Sequence, residues 1–236
     1  MTAQNGFNDL VFLTGSGVKR LGLGHLENLS IEIEDFQLEN GSTTSVTVHM
    51  RPTNHLYSRR FDPSSDNEVE LKKTGELLLR FEHDDGNYQA VKRGTPILST
   101  EKRVFCDKKY AQSKLFPAFV ESLKKRLSTV CVLANSGDAR SCLSALWVLP
   151  SPYEQDDFYI VIFKLTKING KEINMLIETA FVVDADDFRV KKLTSKQNKQ
   201  DQKPFLVILR NVLAGRKPFD SPKKTKSKKQ NAKRPK

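Results

Sequence analysis

Cysteine is scarce in this 236-residue chain: Cys106, Cys131 and Cys142 are the only three, spaced 25 and 11 residues apart with no CxxC pair. An odd count without paired spacing excludes a disulfide framework and predicts free thiols in a reducing, cytoplasmic setting. Cys131 and Cys142 lie in apolar runs, where a thiol is usually buried. No apolar run approaches the roughly 18 residues of a membrane helix. The start, "MTAQNGFNDLVFL", has no basic residues ahead of its short apolar patch. Neither a membrane span nor a signal peptide is expected. Strong catalytic signatures are missing too. HExxH, GxSxG, a kinase set and GxxxxGK[ST] are all absent, and the glycines at 15, 17, 22 and 24 lack dinucleotide-fingerprint spacing. The four histidines, His25, His49, His55 and His83, fall in separate segments, so no metal site and no cofactor are predicted.

What is present is positive charge, and it is unevenly placed. The formal net charge is +11, and residues 216–236 carry ten Lys/Arg against the single acid Asp220. Residues 1–215 therefore hold only +2. The end of the chain has one aromatic and almost nothing to bury, which predicts a disordered basic tail. Lys223, Lys224, Lys226, Lys228, Lys229, Lys233 and Arg234 could load the protein onto RNA or DNA by counterion release. A merely solubilising tail is the other reading. Nucleic acid is the expected partner class; no membrane partner is expected, and no protein partner is specified.

Residues 1–28 are read as a flexible segment and 29–215 as one α+β domain. Leu29, Ile31 and Ile33 alternate with polar residues, "NGS" at 40–42 signals a hairpin turn, and Val46, Val48 and Met50 line the return strand as far as Pro52. A second hairpin is expected about Asp85-Gly86, with "YQAVKRG" as its return. Residues 107–127 repeat apolar positions every four residues from Leu115 to Leu127, with Asp107 as a candidate cap. Pro117 would cost about 3 kcal/mol inside a continuous helix, so a kink or two abutting helices are expected. Strands follow at 129–134, 143–149, 158–165 and 173–183, then a polar stretch and a short helix closed by Gly215. The predicted architecture is a mostly antiparallel sheet packed on one main helix, with an N-terminal hairpin.

The stretch "TNHLYSRR" just past the second strand gathers the candidate chemistry. Metal-free phosphodiester cleavage needs a base, an acid and cations around the phosphate. His55 titrates nearest neutrality and is the candidate base or acid. Tyr57, Arg59, Arg60 and Tyr110 are candidate phosphate contacts, although adjacent arginines also fit a solvated surface. Arg103, ahead of the helix, could share a phosphate with free N–H groups or form a salt bridge. Glu178, on a face expected to include Leu176, Ala180 and Val182, is either a base tuned by burial or a carboxylate paired for structure.

Three segments, "TNHLYS" (53–58), "RVFCDKKYAQSKLFPAFVESL" (103–123) and "FYIVIFKL…INMLIETAF" (158–181), resemble a family of small uncharacterised bacterial proteins from plasmids and other mobile elements. That family's pattern is Ser-Asn-His-Cys-Tyr-Ser, Arg-Tyr-x-x-Ser-x-x-Leu-Pro and Val-Glu-Ser-Ala-Tyr. Asn54, His55, Tyr57, Ser58, Tyr110, Ser113, Pro117, Glu178 and Ala180 match. Leu56 stands in place of cysteine, Lys109 in place of arginine and Phe116 in place of leucine. The order of one helix and four strands is also similar in topology to RNase toxins of the RelE and barnase type. The residue chemistry, with this topological likeness beside it, leads to the expectation of a nucleic-acid-related role and a ribonuclease-like domain in which His55 is acid or base, Arg59 and Arg103 bind phosphate and Glu178 assists. A non-catalytic nucleic-acid or protein-interaction module relying on the tail is the alternative.

Overall fold

The computed structural model describes residues 10–14, 17–84, 98–134, 143–149, 157–195 and 202–219. The chain opens with a hairpin of β1 (Leu10–Thr14) and β2 (Gly17–Leu21), then a 3-10 turn, η1 (Gly24–Leu26). Leu10, Leu23 and Leu26 are buried in the main core, so the segment before residue 29 contributes to it.

Strands β3 (Ser30–Gln37) and β4 (Thr43–Pro52) form the expected antiparallel pair, with Ile31, Ile33, Val46, Val48 and Met50 buried. A register shift between Ile33 and Phe36, with Asp35 at φ 51°, keeps Phe36 on the buried face. After Pro52 come a second 3-10 turn, η2 (Asn54–Leu56), the short β5 (Ser58–Arg60) and α1 (Glu68–Thr74). The stretch from Ser58 to Gly75, polar in sequence, thus carries a strand and a helix.

β6 (Leu78–Asp84) and β7 (Leu98–Phe105) pair antiparallel, and β7 also pairs with β5, giving a three-stranded sheet. The strand pairing with β6 therefore begins at Leu98; "YQAVKRG" and the Asp85-Gly86 pair lie outside the described residues. Two helices follow, α2 (Asp107–Ser113) and α3 (Phe116–Lys125), with Pro117 in the first turn of the second. A proline is harmless there because its missing N–H would be unpaired anyway. Cys106, not Asp107, holds the N-cap position of α2, and Asp107 is the first helical residue.

β8 (Cys131–Ala134), β9 (Leu143–Val148), β10 (Phe158–Lys167) and β11 (Glu172–Val183) come next, then α4 (Phe188–Thr194), β12 (Gln202–Pro204) and α5 (Phe205–Leu213). Together they complete a seven-stranded sheet in the order β12-β8-β9-β10-β11-β4-β3, antiparallel throughout except where β11 runs parallel to β4. The α+β class and mostly antiparallel sheet match the sequence expectation.

Alternation along β10 sends Tyr159, Val161 and Phe163 into the main core and Ile160 and Ile162 to the opposite face. The main face is covered by Phe116, Phe119, Val120 and Leu123 of α3 and by Phe205, Ile208, Leu209 and Val212 of α5. The other face gains a smaller cluster in which Ile160 and Ile162 meet Val190 of α4. Gly215, at φ +73°, follows α5 as a left-handed stop. Cys131 is exposed and Cys106 half-buried, correcting the expectation of a buried thiol at 131; Cys142 is outside the described residues. Among the described residues no helix is long and apolar enough to cross a membrane.

Candidate functional site

The site forms where the parallel pairing of β4 with β11 ends. The last register pair is Pro52 with Ile177, and the backbone N–H of Thr53 then donates to the Ile177 carbonyl at 3.0 Å. Thr53 Oγ1 donates to the Glu178 carbonyl at 2.9 Å and accepts the backbone N–H of His55 at 3.4 Å. One threonine thus docks η2 onto β11 and caps it.

Glu178 sits where β11 slips by one residue against β10: Ile162 pairs with Thr179, while Phe163 pairs with Ile177. This bulge corrects the expected strand face. Ile177 and Ala180 both point into the core, so Leu176 and Ala180 fall on opposite faces. Glu178 instead forms a 2.8 Å ion pair with Lys164 and is about a quarter exposed, at 23%.

The charged residues opposite come from β7. Glu101 and Arg103 are two apart on one strand and share a face. The Arg103 guanidinium is buried, and each of its three nitrogens has an acceptor. Its Nε donates to Ser58 Oγ at 2.7 Å, Nη2 to the Ser58 carbonyl at 3.2 Å and Nη1 to Glu101 Oε1 at 2.6 Å. Ser58 Oγ in turn donates to the Asn54 carbonyl at 2.6 Å. Glu101 Oε1 lies 3.5 Å from His55 Nε2, and Asn54 Nδ2 donates to Oε2 at 3.4 Å. Lys109, on the first turn of α2, reaches the His55 carbonyl at 3.2 Å.

His55 is two-thirds enclosed, and its pKa lies below the ordinary imidazole value. Burial is the largest cause, followed by Arg103; Glu101 and Glu178 pull the other way, and Lys109 adds to the lowering. Burial thus favours the neutral imidazole, and the carboxylate beside it favours the imidazolium that proton uptake would create. A base with such an orienting partner can take a proton from a hydroxyl.

Of the sequence-predicted residues, His55, Arg103 and Glu178 come into one neighbourhood. Arg103 contacts Glu101 rather than presenting free N–H groups, so it orients the carboxylate instead of offering itself to phosphate. The other candidates point elsewhere. Arg59, on the opposite face of β5 from Ser58, makes a two-pronged pair with Asp66 at 2.7 and 2.9 Å and approaches Glu76 at 3.5 Å. Arg60 is exposed at the end of β5. Tyr57 is a packing residue against Phe81, its phenol pushed up to about 12 by burial despite the opposing pull of Arg103. Tyr110 donates to the Gly22 carbonyl at 3.0 Å and stands edge-on to His25, pinning α2 to the chain before η1. His25 Nε2 is 2.8 Å from Ser113 Oγ, which donates to the Tyr110 carbonyl. The tail residues Lys223 to Arg234 lie outside the described residues.

Sequence reasoning missed Glu101 and the placement of Lys109. In "LSTEKRVF" the glutamate reads as a solvated strand position; only its two-residue spacing from Arg103 marks a shared face. Among the described residues no group of three His, Cys, Asp or Glu gathers in a way that could hold a metal ion. No curated protein and no solved structure matches this chain. A family model described as the YjaZ family matches residues 14–213, spanning the His55 site and the seven- and three-stranded sheets, and the chain belongs to the YjaZ family.

Proposed function

We propose that the protein is a cytoplasmic, metal-independent ribonuclease-like domain of a bacterial mobile element, with His55 as the base that takes the proton of an attacking hydroxyl. The observation supporting this most directly is the His55 imidazole 3.5 Å from a carboxylate that Arg103 holds in place. Glu101 steadies the charge that develops on the ring, and Glu178 acts in the same direction. Arg103 is a positioning residue: it fixes Glu101 and the Ser58 turn. Cations of the tail draw a polyanion to the protein. The test compares wild type with His55→Ala on RNA in EDTA, and in cells for growth arrest. Cleavage and arrest by wild type alone are expected; identical behaviour of the two removes catalysis at His55.

A second reading, a non-catalytic nucleic-acid module, draws on one specific observation: Arg59 and Arg103 are both taken up by carboxylates, while residues 216–236 alone carry ten Lys/Arg against one acid. Binding that survives His55→Ala unchanged, with no RNA loss from either protein, is its signature.

A further inference from the structure

The charges around His55 do not cancel one by one. Arg103 is matched by Glu101, and Lys164 by Glu178. Lys109 is matched by no carboxylate among the described residues; its Nζ has the His55 carbonyl as acceptor. The ammonium is half-buried on the first turn of α2, tethered to the very residue that carries the imidazole. An uncompensated cation at that point is where an anion gains most.

We propose that Lys109 binds the scissile phosphodiester of RNA and is the general acid that protonates its leaving oxygen while His55 takes the proton of the ribose 2′-hydroxyl. This rests on the ribonuclease reading above and adds to it the acid, the substrate class and the product. A bond forms from the 2′-oxygen to phosphorus as the 2′-proton passes to the imidazole. The bond from phosphorus to the 5′-oxygen breaks, and that oxygen takes a proton from the ammonium. The ends left are a 2′,3′-cyclic phosphate and a 5′-hydroxyl. Nothing is oxidised or reduced, and proton exchange with water restores imidazole and ammonium. Because the nucleophile is the 2′-hydroxyl, DNA is not cut.

An ammonium suits this role only if it can release its proton. Burial, with help from Arg103, holds the Lys109 pKa below the ordinary lysine value, while Cys106 opposes weakly. A guanidinium at the same place would keep the charge and lose the chemistry.

The test uses the full-length protein, an RNA oligonucleotide with one cleavable linkage, and the same oligonucleotide with sulfur replacing the leaving 5′-oxygen. Sulfur departs as a thiolate without needing a proton. Lys109→Arg is expected to cut the oxygen substrate about 100-fold more slowly than wild type. On the sulfur substrate it should recover the wild-type rate, a rescue that also shows the variant is folded. Equal rates for both proteins on the oxygen substrate, or no rescue by sulfur, overturn the role of Lys109 while leaving the His55 reading intact. Wild type that leaves the RNA whole removes both.

Discussion

Thr53 and Glu178, 125 positions apart in sequence, are joined by a 2.9 Å hydrogen bond from the Thr53 hydroxyl to the Glu178 carbonyl. That carbonyl belongs to the residue at which β11 slips against β10, so the bulge and the turn carrying His55 stabilise each other. Thr53→Val preserves shape and removes the donor. It should lower stability by about 1 kcal/mol in urea unfolding. It should also change the His55 ring resonances in an NMR spectrum; an unchanged imidazole environment would show that the turn is held by other means.

Arg103 and Glu101 act on His55 with opposite sign. Replacing Arg103 with Met removes a cation that lowers the imidazole pKa and releases Glu101, so the His55 titration midpoint should rise. Glu101→Gln removes a charge that raises it, so the midpoint should fall. The Met variant also takes one donor each from the Ser58 hydroxyl, the Ser58 carbonyl and Glu101, at a cost of about 2–3 kcal/mol given that Glu101 is partly solvated. Both midpoints are readable from the imidazole C–H signals. Shifts of the same sign in the two variants would contradict this electrostatic picture.

Period-two alternation made β3, β4 and the central strands legible, because one face of each meets the core and side chains repeat every second residue. Pro117 announced the break between α2 and α3 for an equally local reason. What sequence could not supply was non-local. The parallel pairing of β4 with β11 joins two hairpins more than a hundred residues apart, and nothing in either strand encodes its partner. The slip at Ile162/Phe163 inverts the face of everything after Ile177, which defeats a face assignment made by counting. For the site, His55 stood out by residue type, Arg103 by its place ahead of a helix, and Glu178 by its apolar neighbours. Arg59 and Arg60 looked like a phosphate grip, but neighbouring residues on a strand point to opposite faces, and Arg59 is held by Asp66.

Acid should unfold the protein earlier than its carboxylates alone would dictate. His25, packed against Ser113, Tyr110 and Lys114, and His55 both have folded pKa values below 6.5, with burial the leading cause. The unfolded chain then binds protons first as pH falls, so the stability these neutral rings confer is complete above 6.5 and is lost as pH drops through their folded values. Asp66 and Asp187, held low chiefly by hydrogen bonds from Arg59 and Arg189, lose their share only below the ordinary carboxylate range. Melting temperature should therefore fall between about pH 7 and pH 5, and a His25→Gln/His55→Gln double variant should show a smaller fall. A double variant as acid-sensitive as wild type would place the effect elsewhere.

The root of the tail is part of the fold, and this sets where it can be removed. Asn211, buried on α5, donates through Nδ2 to the Pro218 carbonyl at 2.7 Å and accepts from Arg216 Nη2 at 2.7 Å. Lys203 of β12 donates to the Phe219 carbonyl at 2.6 Å, and Arg216 pairs with Glu39. Truncation after Gly215 deletes all of these partners along with the charge, so it should destabilise the domain by about 1–3 kcal/mol through groups left unpaired. Truncation after Phe219 keeps them and still removes eight Lys/Arg and one Asp. Counterion release predicts that the shorter deletion is already enough to flatten the salt dependence of single-stranded RNA binding, by roughly 0.7 in the log–log slope for each phosphate that is no longer neutralised. It should do so with no change in melting temperature. If the slope stays the same after that deletion, the binding cations lie on the folded body, and Lys109 becomes the first to replace in a repeat of the titration.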